Sequence, residues 1–122
     1  MNMPEIAACS NQEFWKERTL ALRDAIELLG GKWKICILQN LGSGPLRFKE
    51  LREGVSGISP KILSKELQHL EENHLINRTV NSTKPVTVSY SLTEHARHIQ
   101  PVMEALISFG SVHRETVKQR FY

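Results

Sequence analysis

Residues 48–70 read FKELREGVSGISPKILSKELQHL, and this stretch decides the fold. Phe48, Leu51 and Val55 recur at helical spacing, and Ser56-Gly57-Ile58 forms a tight turn. Ser59-Pro60 then opens a second helix with a serine cap and a proline in the first turn, where its missing N–H is no loss. In that helix Leu63, Leu67 and Leu70 form the core stripe, supported by Ile62. Lys61, Ser64, Lys65 and Gln68 share the opposite face. Two short helices joined by a glycine turn, the second with a basic and polar outer face, make a helix-turn-helix.

Upstream, Lys32 to Leu41 is apolar on nearly all sides and reads as a central buried helix, with Cys36 as inert packing. Before it, Ser10 and Glu13 have capping-box spacing; Leu22, Ala25, Ile26 and Leu29 then recur helically until Gly30-Gly31. Downstream the period changes. Ile76, Arg78 and Val80 alternate, as do Val86, Val88, Tyr90 and Leu92, and the polar run Asn81-Ser82-Thr83-Lys84-Pro85 between them predicts a β-hairpin. Thr93 caps a last helix with Glu94 in its first turn. Ile99, Val102, Met103, Leu106, Ile107 and Gly110 stripe that helix, and Pro101 is expected to kink it or mark a break. The expected fold is α+β, mainly α. It is a winged helix-turn-helix with a two- or three-stranded antiparallel wing sheet and dimerisation helices at both ends. Residues 1–12 read as an N-terminal arm and 13–122 as a single domain.

Composition narrows the function. The chain has 122 residues, 40% hydrophobic and 24% charged, which excludes disorder throughout. No apolar run approaches the ~18 residues that a membrane helix needs. The first twelve residues lack a basic region followed by an apolar core, so a cytoplasmic protein is expected. Two cysteines, Cys9 in the arm and Cys36, are too few for a disulfide framework or a four-cysteine zinc site. The net charge of +3 is unevenly spread. Met1 to Gly30 carries three basic and five acidic residues, whereas Arg47 to Lys65 carries five basic and two acidic. Positive charge in the middle of the chain suits a nucleic-acid partner.

The major groove of B-DNA admits an α-helix, whose side chains read base edges. Ser59, Lys61, Ser64, Lys65 and Gln68 are the candidate base-reading residues. Arg47 and Lys49 at the preceding helix, with Arg78, Asn81, Ser82 and Lys84 at the wing, are candidate phosphate contacts. Two plainer readings stand beside this one: Lys61 and Lys65 solvate an exposed face, or the winged helix serves as a protein-interaction module without direct DNA binding. Ile99, Val102, Met103, Leu106 and Ile107, with Phe14, Trp15 and Leu22 at the other end, exceed what one small core needs. Burial of that surplus against a second copy is the simpler account. No nucleophile–base pairing or phosphate loop supports an enzyme. His95 and His98 lack a third ligand, so neither a metal nor a cofactor is expected. A dimer of this kind would have room for a small apolar effector between the last helix and the DNA-binding lobe, but no spacing identifies one.

Leu28-Leu29-Gly30-Gly31-Lys32-Trp33 resembles the I-G-G-K-W signature of the HxlR-type regulators, relatives of the MarR group, with Leu29 where isoleucine is frequent. Gly44-Pro45-Leu46-Arg47-Phe48-Lys49-Glu50-Leu51, Gly57-Ile58-Ser59-Pro60-Lys61-Ile62-Leu63-Ser64 and Val88-Ser89-Tyr90-Ser91-Leu92-Thr93 continue the match. The resemblance spans about Leu20 to Gly110. It implies a homodimeric prokaryotic transcription factor on double-stranded DNA with an inverted-repeat operator, paired through its first and last helices. Three departures stand out. Leu20 and Ala21 occupy the place of the Cys-Pro pair that carries redox sensing in some members. Asn73-His74 replaces the usual glycine after the recognition helix, and these residues tolerate the left-handed conformation that a helix stop needs. Ala96 and Arg97 stand near the place of a common glycine.

Overall fold

Gly30-Gly31 ends the first helix and marks a division of the chain into one unit up to Gly31 and a second from Lys32. The structure, a computed structural model, describes residues 11–121. Ser10, Cys9 and the rest of the expected arm up to Ser10 lie outside the described residues. Among the described residues the first unit holds one helix, α1 (Asn11–Leu29), closed by a helical bond from the Gly30 N–H to the Ile26 carbonyl (2.7 Å) ahead of Gly31 at φ +89. No residue of α1 is buried, and Leu22 and Ile26 are both 61% exposed. Phe14 and Trp15 meet edge to face at 5.3 Å, with the Arg18 guanidinium over both rings.

The second unit begins with α2 (Lys34–Asn40), shorter than the expected Lys32–Leu41. Gly31 at φ +89 and the bends that follow it delay the helix start. Two expectations for this helix are corrected. Its buried stripe is Lys34, Ile37, Leu38 and Leu41, at i, i+3, i+4 and i+7, so one face is covered rather than all. Cys36 points away from that stripe and is exposed, not packed.

A 3-10 turn (Leu41–Ser43) leads to β1 (Leu46–Arg47) and α3 (Phe48–Gly54), where the Glu50 carboxylate accepts the Arg47 N–H at 2.9 Å. The turn to α4 (Pro60–Glu72) passes through Gly57 at φ +86, a conformation that a side chain would strain. Ser59 Oγ caps α4 by accepting the Ile62 N–H at 3.2 Å. Leu63, Leu67 and Leu70 are buried with Ile37, Leu38, Leu51 and Ile58. The end of α4 is a Schellman motif: Leu75 N–H donates to the Leu70 carbonyl and His74 N–H to the Glu71 carbonyl, both at 3.0 Å. His74 takes the left-handed conformation at φ +61 that the sequence makes tolerable there.

β2 (Ile76–Asn81) and β3 (Thr87–Leu92) form the hairpin, and β1 pairs with the other edge of β3, giving an antiparallel sheet in the order β1-β3-β2. Thr93 follows. Its N–H donates to the Leu75 carbonyl, and its hydroxyl donates to the His74 carbonyl (2.7 Å) and accepts the Ala96 N–H (3.0 Å). The segment that it caps is a 3-10 helix (His95–Ile99), and α5 (Gln100–Phe121) starts afresh with Pro101 in its first turn. Pro101 therefore marks a break, placed where its missing N–H breaks no helical bond. Ala96, Ile99 and Met103 close the core. Among the described residues no helix is long and apolar enough to cross a membrane.

Candidate nucleic-acid interface

α4 is built so that its two faces do different work. The leucine stripe is buried, and this leaves Lys61, Ser64, Lys65 and Gln68 exposed along the other side. Ser59, expected among them, is the N-cap and its oxygen is already engaged with the Ile62 N–H. Gln68 donates to Glu72 at 3.3 Å, one turn on. The remaining carboxylates of α4 are sorted as well. Glu71 and Glu72 lie at the C-terminal end, while Glu66 is drawn into an ion pair with Lys34 of α2, Nζ to Oε2 at 2.8 Å. The N-terminal half of the exposed face is therefore cationic, at the helix end whose free N–H groups also favour anions.

The wing residues divide by face. Arg47 is opposite Ser89, which pairs on its other side with Thr79; Asn77, Asn81, Thr87 and Ser91 share this polar face. Asn81 is held there by bonds to Thr87 (3.2 Å) and Ser89 (3.4 Å). Arg78 pairs with Tyr90 and so lies on the opposite, mainly apolar face, beside the half-exposed Val80. Ser82 and Lys84 are exposed in the connection, where Thr83 Oγ1 bonds the Pro85 carbonyl at 2.7 Å. Lys49 is exposed in the first turn of α3.

The apolar residues expected at an interface also separate. Ile99 and Met103 are buried within the second unit, whereas Val102, Leu106 and Ile107 are exposed on α5. Phe109 (68% exposed), Val112 and Val117 extend that exposed surface. On α1, Phe14 is half-buried while Trp15 and Leu22 are exposed. Lys34 and Glu66 are the site residues that sequence reading missed. A lysine inside an apolar stripe, and a glutamate between Leu63 and Leu67 on a neighbouring helix, were the available signs. No group of three potential metal ligands occurs among the described residues.

Comparison with known proteins shows the family to which the chain is similar. The family described as HxlR-like helix-turn-helix covers residues 28–118. The HTH-type transcriptional regulator YtcD of Bacillus subtilis is 34% identical over 98 residues, 80% of this chain and 78% of that protein. The reduced form of the transcriptional regulator YodB from B. subtilis superposes with a TM-score of 0.68 at 37% identity, covering 73% of this chain and 87% of the other. The redox regulator HypR in its reduced form gives 0.76 at 28% identity, over 81% of this chain and 98% of its own.

Proposed function

Because this chain belongs to the HxlR-like helix-turn-helix family and is a DNA-binding transcriptional regulator rather than an enzyme, we propose that it acts in the cytoplasm as a homodimer on an inverted-repeat operator. α4 enters the major groove. Lys61 and Lys65 reach guanine O6 and N7, Gln68 pairs with adenine, and Ser64 and the hydroxyl proton of Ser59 serve either role. Arg47, Lys49 and the wing residues Arg78, Asn81, Ser82 and Lys84 hold phosphates and set the register. The observation that carries this reading is the separation on α4 of a buried leucine stripe from an exposed basic face, with Glu66 removed from that face.

The second copy is supported by apolar surface left uncovered on each unit by itself: Trp15 and Leu22 with the half-buried Phe14 on α1, and Val102, Leu106 and Ile107 on α5. Ile99 and Met103 support it from beneath. A two-fold dimer presents its recognition helices to successive major grooves, about 34–36 Å apart. A signal acts by changing that distance or angle. The redox role named for HypR is not carried across. Leu20 and Ala21 stand at the position where some members keep a sensing cysteine, and Cys36 is the one cysteine among the described residues.

The test is operator selection from genomic fragments followed by replacement of Lys61, Lys65 and Gln68 with alanine. Each lost base contact is expected to weaken operator binding by about 1–3 kcal/mol. Undiminished operator affinity in the folded triple variant defeats the base-reading assignment.

A further inference from the structure

Between its ends the recognition helix meets the rest of its unit through two kinds of side-chain contact. Leu63, Leu67 and Leu70 press into the core, and contacts of that kind have no preferred direction. A helix held by them alone tolerates a small turn about its own axis. The second contact is directional. Lys34 Nζ and Glu66 Oε2 lie 2.8 Å apart with side chains only 11% and 17% exposed. Lys34 stands in the apolar stripe of α2, and withdrawing two charges from water offsets much of their attraction. Such a pair adds little stability, yet it constrains the fine rotation of a helix whose outward side the leucine stripe has already chosen.

We propose that Lys34 and Glu66 are positioning residues for sequence discrimination. Their ion pair sets the rotation of α4 about its axis, and with it the register in which Lys61, Ser64, Lys65 and Gln68 meet base edges. The inference rests on the operator-binding reading above. A turn of roughly 10° moves the rim of a helix 10–12 Å wide by about 1 Å. That is enough to spoil a base-edge hydrogen bond, whose useful range spans about half an ångström. Phosphate contacts from flexible lysines are far less sensitive to it, because they act largely as point charges. The pair also keeps the Glu66 carboxylate turned toward α2 rather than toward the groove.

The experiment compares the full chain with Lys34→Met/Glu66→Met and with Glu66→Gln. It measures the melting temperature and the Kd for a selected operator and for a random duplex of equal length, at one salt concentration. The double variant keeps the net charge, so its affinity for random DNA is expected to stay within about twofold. Its melting temperature should match or exceed that of the wild type, since apolar replacement of a buried pair is commonly neutral or stabilising. Its preference for operator over random DNA should fall about tenfold. Glu66→Gln retains an acceptor for Lys34 and should lose about threefold in that preference. A folded double variant with wild-type preference overturns the proposal. If the double variant does not fold, an unchanged preference in Glu66→Gln overturns it instead. A wild type that prefers no duplex defeats the operator reading itself, a distinguishable outcome.

Discussion

α4 and α5 are both amphipathic, but they use their apolar residues differently. α4 buries its leucine stripe completely within its own unit, and its exposed side is polar and charged apart from the partly covered Ile62. Among its described residues α5 buries only Met103, at the end of its first turn, while Leu106 is 51% exposed and Phe109 more so. Helical spacing identifies an apolar face equally well in both. Whether the same chain covers that face depends on which other elements reach it. α4 is a folding element that displays chemistry, and α5 carries apolar surface that the single chain leaves open.

That contrast can be broken at either helix. The largest effect is expected at Leu70→Ala, where a fully buried side chain leaves a cavity costing about 2–5 kcal/mol, read by urea unfolding. A loss under 1 kcal/mol would place α4 outside the core. Leu106→Glu should leave the helical circular dichroism intact but weaken self-association by about 2 kcal/mol or more, measured by sedimentation equilibrium. Unchanged association would remove α5 from the interface. Ser59→Ala removes the α4 cap and should cost about 1 kcal/mol in thermal unfolding, with Ser59→Gly costing less. The smallest effect is expected at Lys84→Ala, which should weaken binding to all duplexes alike and lower the salt slope by about one. A sequence-selective loss there would contradict a phosphate role.

The parts of the fold legible in sequence are those whose cause is local. The Ser59-Pro60 cap, the Leu63, Leu67 and Leu70 stripe, and the alternation from Ile76 to Leu92 all act over a few residues and appear as expected. β1 is only two residues long, too short for alternation to register, and it exists because β3 offers a free edge. The exposure of Cys36 follows from the position of the stripe on α2, which hydrophobicity alone did not show. Lys34 was obscured for another reason. Its burial depends on a carboxylate from a helix well along the chain, and no local pattern announces such a partner. Among the candidate contacts, side-chain type was readable, but the face was not. Arg47 and Arg78 lie on opposite sides of the sheet because strand register, not composition, decides it.

Thr93 joins three segments through one residue: its N–H and hydroxyl tie it to Leu75 and His74 at the end of α4, and its oxygen caps the turn that launches α5. The chain on its other side is β3. A displacement of the start of α5 therefore meets resistance at the same point that anchors both the recognition helix and the wing. The three cannot shift independently without breaking hydrogen bonds at Thr93. In mechanical terms, Thr93 is a common pivot, so force applied along α5 is delivered to the root of both α4 and the hairpin at once.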